Sequence, residues 1–137
     1  MVKHGRLIIA CDGEAGSGKS TAAKLVSKKY KLLLINSGLI YRYCSKLIIQ
    51  KNPKNIIPFI KKKLKTVSYK SISKQKLHSE KISYHVAFLA KDKRIRKIVN
   101  QFQMKIIRTN SKICVEGRDI ASKILAKNPK YDLAFYF

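Results

Sequence analysis

Gly13-Glu14-Ala15-Gly16-Ser17-Gly18-Lys19-Ser20 fits the pattern G-x-x-x-x-G-K-[ST], the glycine-rich loop that cradles phosphate groups. The motif earns belief only between a buried strand and a helix, and both flanks comply. The apolar run Leu7-Ile8-Ile9-Ala10-Cys11 precedes it, and a helical pattern from Thr21 to Tyr30 comes after. In such a loop the glycines let successive backbone N–H groups turn onto a β-phosphate, and the helix N-terminus adds its dipole. Lys19 would bridge the β- and γ-phosphates, while the Ser20 hydroxyl would ligate Mg²⁺. The stretch therefore reads as a nucleoside triphosphate site, without separating a hydrolase or switch protein from a kinase.

Working outward, Leu7 to Cys11 is continuously apolar, as a strand of a parallel sheet covered on both faces must be. Ala22, Ala23, Leu25, Val26 and Tyr30 recur at helical spacing, which leaves Lys24, Lys28 and Lys29 on the wet side. Leu32-Leu33-Leu34-Ile35 reads as a second buried strand. At its carboxyl end stands Asn36-Ser37-Gly38-Leu39-Ile40-Tyr41-Arg42, where doubly wound folds place their ligands. From Asn52 to Lys76 the pattern weakens, and Pro53, Pro58, Lys61-Lys62-Lys63 and the alternating Thr66-Val67-Ser68-Tyr69 suggest a small inserted lobe, a helix plus a hairpin. Two helices come next, over about Ser79 to Ala90 and about Lys93 to Arg108, the second capped by Asp92. Ile113-Cys114-Val115 is a third buried strand ending in Glu116-Gly117-Arg118-Asp119. A short helix, Ile120 to Leu125, leads through Asn128-Pro129 to a fourth strand, Leu133 to Phe137. The expected fold is α/β: a three-layer nucleoside triphosphatase architecture in a single domain over 1–137, with the inserted lobe at about 50–92.

Thirty-one Lys+Arg against seven Asp+Glu give the chain a net charge of +24. A basic chain can bind nucleic acid. Here the excess is mostly lysine spread along the whole length, whereas planar, bidentate phosphate and base contacts favour arginine. The favoured reading is lysine on solvated faces, and nucleic acid is not an expected partner. Cys11, Cys44 and Cys114 have no zinc or redox spacing and read as buried free thiols. The apolar run near the start is too short for a signal peptide or membrane span, so a cytoplasmic protein without a membrane partner is expected.

Two further clusters sharpen the reading. The stretch Ile9 to Thr21, the segment Asn36-Ser37-Gly38-Leu39-Ile40-Tyr41-Arg42 and Glu116-Gly117-Arg118-Asp119-Ile120 resemble the bacterial cytidylate (CMP) kinase family, whose signatures read "D-S/T-G-A-x-Y-R" and "D/E-G-R-D-I/M". Leu77-His78-Ser79-Glu80-Lys81-Ile82 and Arg94-Ile95-Arg96 are similar to its "L-R-T/S-x-x-V" and "P-x-V-R" segments. The resemblance runs from about Leu7 to Phe137. It implies phosphoryl transfer from ATP with Mg²⁺ to CMP or dCMP in pyrimidine nucleotide metabolism. Gly13, Glu14, Ala15, Gly16, Ser17, Gly18, Lys19, Ser20 and Thr21 would bind ATP, and Glu116 would hold a Mg²⁺-bound water. Ser37, Tyr41, Arg42, Arg96, Arg118 and Asp119 would bind the acceptor, with Arg96 and Asp119 on its cytosine. Lys19, Arg42 and Arg118 would be the catalytic cations. Such chemistry asks mainly for alignment and charge neutralisation, which fixed guanidinium forks supply.

The chain also departs from that pattern. Asn36 stands where the family usually has Asp, His78 where it has Arg, and Ala87 where a Ser is often found. The resemblance further implies a helix, an arginine-bearing lid and a fifth strand beyond the fourth, so this chain would hold four of the usual five strands. On that ground marginal stability, weak ATP·Mg²⁺ binding and slow transfer are expected. The family is expected to be monomeric, and the last strand, left as an apolar edge, would favour self-association here. The competing readings are a different small-molecule kinase with the same loop and a basic nucleic-acid-binding module.

Overall fold

Leu7–Asp12 forms β1, the one strand of the sheet with hydrogen-bonded neighbours on both sides that also leads into the glycine-rich loop. The structure is a computed structural model that describes residues 5–14, 16–127 and 129–137, so the expectations attached to Ala15, Asn128 and Met1 to His4 lie outside the described residues. The helix α1 (Lys19–Tyr30) and the strand β2 (Leu33–Asn36) complete the first strand–helix–strand passage. Five more helices succeed them: α2 (Ser37–Lys51), α3 (Ile56–Thr66), α4 (Tyr69–Ser73), α5 (Glu80–Leu89) and α6 (Lys93–Arg108). Then come β3 (Lys112–Gly117), a π-type turn over Ile120–Ile124 and β4 (Leu133–Tyr136).

The sheet is four-stranded and parallel throughout, in the order β2-β3-β1-β4. Registers place Asp12 opposite Gly117, Cys11 opposite Glu116 and Asn36 opposite Glu116 on the other side. The chain leaves β1 towards β2, on one side, and leaves β3 towards β4, on the other. The carboxyl ends of the adjacent β1 and β3 are thus the topological switch point, where a parallel sheet opens a crevice for ligands. Both strands are almost wholly buried, and Ile8, Ile9, Ala10, Ile113, Cys114 and Val115 form the centre of the core.

The structure corrects several expectations. β4 is an edge of the sheet as expected, but β2 is the other edge and is less buried than its leucine run suggests, because Leu33 faces solvent and only Ile35 is fully enclosed. On α1, Ala23 and Ser27 face the core while Leu25 and Tyr30 are exposed, so the buried stripe is set by small residues close to the sheet. Leu133, Phe135, Tyr136 and Phe137 are all exposed.

The chain divides into two compact units, 1–37 with 103–137 and 38–102. The first holds the sheet. The second is helical, and Ile60, Leu64, Ile72, Leu77, Ile82 and Ile95 are among its buried residues. No hairpin occurs in the lysine-rich stretch, which is instead α3 and α4. Ile60 and Leu64 sit four residues apart on the buried side of α3, and Pro58 lies in the first turn, where its missing N–H costs no bond. The alternation over Thr66 to Tyr69 is a helix boundary, for the Ser68 hydroxyl accepts from the Ser71 N–H at 3.1 Å and caps α4. The other two helices are as expected. Ser79 caps α5 through the Ile82 N–H at 3.2 Å, and Asp92 accepts from the Arg94 N–H at 2.8 Å at the start of α6.

Asp132 ties β4 to the rest of the sheet. Its carboxylate accepts from the Ile8 N–H at 2.8 Å and from Arg6 Nη2 at 3.1 Å, with the side chain only 5% exposed. Asp132→Ala leaves a buried N–H and a half-covered guanidinium without acceptors. A loss of about 1–3 kcal/mol in urea unfolding is expected, while Lys127→Ala, on an exposed residue, should fall within about 0.5 kcal/mol of the parent.

Candidate active site

The loop between β1 and α1 has the backbone its glycines imply. Gly16 and Gly18 lie at φ +79 and φ +90, the left-handed region that side-chain-bearing residues resist, and Gly18 stands immediately before α1. Gly13 is restricted by space, since a Cβ there would lie 2.7 Å from Ser17 Oγ and 3.0 Å from the Phe137 carbonyl oxygen. Glu14, Gly16, Ser17, Gly18 and Ser20 are exposed, as is Thr21 in the first turn of α1. Lys19 Nζ donates to the Gly13 carbonyl at 2.8 Å, so the ammonium is folded back over the loop it would serve.

Ser20 and Glu116 are brought together across the switch point. Ser20 Oγ donates to Glu116 Oε1 at 2.7 Å. Glu116 is 1% exposed, and its other oxygen, Oε2, is buried without a hydrogen-bond partner among the described residues. A buried carboxylate oxygen with nothing to accept from is costly, and a hydrated cation or its water is the usual remedy. Mg²⁺ needs only one or two protein oxygens besides phosphates and water, so this pair fits it. Among the described residues no cluster of three or more His, Cys, Asp or Glu could hold a metal unaided.

Asp12, the last residue of β1, fixes the segment that leaves β3. Its Oδ1 accepts from the Ile120 N–H at 2.6 Å and its Oδ2 from the Ala121 N–H at 3.1 Å. Those are the first two amides of the π-type turn, which closes through the Leu125 N–H on the Ile120 carbonyl at 2.7 Å. Asp119 precedes them at φ +55 and is exposed, 3.6 Å from Lys123 Nζ; Arg118 is exposed too. The site role of Asp12 is not apparent from sequence, where its only signal is a lone carboxylate ending an apolar strand.

Ser37, the first residue of α2, is buried and donates its hydroxyl to Gln103 Oε1. Gln103 is fully enclosed, and its Nε2 has no partner among the described residues. Gly117 packs so tightly here that a Cβ on it would meet Ser37 Cβ at 3.0 Å and Ile120 Cδ1 at 2.9 Å. Sequence reasoning misses Gln103 as well, though it shares one helix face with the buried Val99 and Ile107, a polar residue in an apolar stripe.

In the helical unit, Arg42 is held ready by two acceptors, the Leu77 carbonyl and Ser83 Oγ, each 3.0 Å from Nη1. Arg94 is occupied by Asp92, whose carboxylate it meets at 3.2 and 3.0 Å. Arg96 is exposed and close enough to lower the Tyr41 phenol, although burial outweighs it and pushes that phenol up to about 12. Of the two neighbouring arginines, Arg96 is therefore the one not already spent on a helix cap. Among the described residues no helix is long and apolar enough to cross a membrane.

A parallel α/β sheet with the glycine-rich loop at its switch point, and a carboxylate in the next strand facing the loop's serine, defines a P-loop nucleotide-binding fold. The sequence profile of the cytidylate kinase family matches residues 9–131, and the chain belongs to that family. It is 34% identical over 143 residues to the cytidylate kinase of Clostridioides difficile (strain 630), covering 96% of this chain and 64% of that protein. It is 32% identical over 133 residues to the cytidylate kinase of Aquifex aeolicus (strain VF5), covering 88% and 60%. It is also 36% identical over 135 residues to a bifunctional pantoate ligase/cytidylate kinase of Prochlorococcus marinus (strain AS9601), covering 87% of this chain and 26% of that one. The chain thus spans less than two thirds of the length of each.

Tyr41 yields a pH prediction. In the unfolded chain its phenol ionises at the ordinary value of 10, and in the folded chain at about 12. The neutral phenol favours folding, so its contribution is complete below pH 10 and is lost as pH rises to about 12. Phenolate absorbance should lose its component near pH 12 in Tyr41→Phe, and that variant should lose less stability over the same window.

Proposed function

We propose that the chain catalyses ATP-dependent phosphorylation of CMP or dCMP, with Mg²⁺ on the donor phosphates. The observation that carries this is the Ser20–Glu116 contact at the switch point, with one glutamate oxygen buried and, among the described residues, unpartnered beside a glycine-rich loop. Gly13 to Thr21 would wrap the ATP phosphates. Lys19 would exchange the Gly13 carbonyl for phosphate oxygens. Ser20 would bind Mg²⁺ directly and Glu116 through a water; the ion's chemistry is neutralisation of phosphate charge.

The acceptor roles rest on the family resemblance. Ser37, Tyr41 and Arg42 would hold the nucleotide, and the exposed Arg118 its phosphate. Arg96 and Asp119 would read cytosine, whose carbonyl accepts and whose exocyclic amine donates. A pyrimidine with a second carbonyl in place of the amine gives Asp119 nothing to accept. Arg42, Arg118 and Lys19 would each neutralise charge during transfer, which is the largest service a protein performs for a phosphoryl group. The similar proteins of Clostridioides difficile and Aquifex aeolicus are named for cytidylate kinase activity, which supports the reading.

A coupled assay for ADP formation tests it with CMP, dCMP, UMP and AMP in turn. CMP or dCMP is expected to be preferred, with turnover abolished by chelating Mg²⁺. Lys19→Ala should weaken ATP binding by about tenfold or more, since it removes a charge-assisted contact. Equal turnover of all four acceptors, or nucleotide binding indifferent to Lys19→Ala, would overturn the proposal.

A further inference from the structure

We propose that Gln103 is a positioning residue of the acceptor site, whose side-chain amide turns over to make the Ser37 hydroxyl a donor to the phosphate of a nucleoside monophosphate. The inference rests on the assignment of Ser37 to the acceptor nucleotide.

A hydroxyl has one proton. In this structure Ser37 gives that proton to Gln103 Oε1. A phosphate oxygen only accepts, so Ser37 in this arrangement has nothing to offer it. Meanwhile Gln103 Nε2 carries two N–H donors in a fully enclosed place and uses neither on a described residue. Leaving such a donor unpaired in a buried place is costly. Rotating the terminal amide by half a turn solves both problems at once. Nε2 then donates to Ser37 Oγ, and the Ser37 proton is released to point elsewhere.

The surroundings restrict the movement to that exchange. A Cβ on Gly117 would lie 3.0 Å from Ser37 Cβ and 3.1 Å from Ser37 Oγ, so the space beside the serine exists only because residue 117 is glycine. Gln103 lies inside the continuous helix α6, and Ser37 opens the fifteen-residue helix α2. The free N–H groups and positive dipole end of α2 therefore sit beside the released proton, and both favour an anion. Without an anion, the serine proton is best given to Oε1. With one, the flipped amide is better, because the serine proton then has the phosphate as acceptor and one Nε2 proton has the serine oxygen. Gln103 in this way couples the polarity of a buried pair to the presence of the acceptor phosphate.

The test uses calorimetric titration of the full chain with CMP and, separately, ATP. Gln103→Met keeps the length of the side chain and removes its polarity. It should weaken CMP about tenfold and leave ATP within about twofold. Gln103→Glu, which can only accept when ionised, should weaken CMP further. In a Ser37→Ala background Gln103→Met should cause no additional loss, because the effect runs through the serine hydroxyl. Equal losses in both backgrounds, or parallel losses for ATP and CMP, would assign Gln103 to structure alone and overturn the proposal.

Nitrogen-15 spectra of the unmutated chain supply a readout that does not depend on variants folding. The Gln103 side-chain amide signals should shift on adding CMP and stay in place with ATP. Signals unmoved by CMP despite measured binding would also overturn it. A parent chain that binds ATP but not CMP would instead overturn the acceptor reading, and this proposal with it.

Discussion

Asp12 is the constraint on which the sheet-bearing unit depends. Its carboxylate takes two amides of the turn after β3, and its own carbonyl accepts the Phe137 N–H at 2.8 Å. One residue thereby joins the end of β1, the segment after β3 and the end of β4. A carboxylate buried to this degree is tolerable only when its oxygens are engaged, and here both are. The arrangement also explains the π-type geometry over Ile120–Ile124. With its first two amides directed at Asp12, the turn closes by a wider bond from Leu125 to Ile120, a departure common at functional sites. Gly13 comes directly after Asp12 and gives its N–H to the Gly117 carbonyl at 3.2 Å. The loop base and the turn carrying Arg118 and Asp119 are set by the same strand pair.

The second consequence concerns where polar groups are left unsatisfied. Among the described residues Arg6 Nε, Ser27 Oγ, Gln103 Nε2 and Glu116 Oε2 are buried atoms without partners, and the last two belong to side chains whose other polar atom is bonded to a residue of the proposed site. Elsewhere the same unit satisfies its buried carboxylates, as Asp12 and Asp132 show. The Glu116 oxygen is where the proposed function puts a Mg²⁺-bound water, and the Gln103 nitrogen lies beside Ser37. Acceptor oxygen and donor nitrogen are also of opposite polarity, as a cation and an anion require.

Much of this is legible in the sequence. The loop, the four strands and the helices α1, α5 and α6 can be read from apolar runs, glycine spacing and caps. The exceptions have definable reasons. Leu33, Leu25 and Tyr30 are apolar yet exposed, because periodicity reports which residues prefer burial and not which side of an edge strand or helix is covered. The alternation at Thr66 to Tyr69 imitates a strand but is too short to outweigh the Ser68 cap and the Ile60–Leu64 spacing. Asp12 and Gln103 escape sequence reasoning because their roles depend on partners about a hundred and about sixty positions away. Ser20 and Glu116 can be inferred from sequence only as members of two separate motifs, and strand register converts them into one site.

The charge of +24 takes on a different sense once the acidic residues are located. There are only seven, and most hold a structural position that a lysine could not fill. Asp12 and Asp132 accept backbone amides, Glu116 accepts a loop hydroxyl, Asp92 opens α6 and Glu80 lies in the first turn of α5. At helix starts and buried amides a negative group is stabilising in a way that solvent-facing acids are not. The lysines are distributed differently. Lys61, Lys62, Lys65 and Lys70 lie exposed on α3 and α4, and Lys63 spans the Phe59 ring at 5.7 Å. Net charge therefore reflects a scarcity of acids on wet faces as much as any concentration of bases. Such a surface repels its own copies and opposes the self-association that the exposed Leu133, Phe135 and Tyr136 of an edge strand would otherwise favour. Added salt screens the repulsion within about a Debye length and leaves the apolar edge unchanged, so the balance between the two is set by ionic strength.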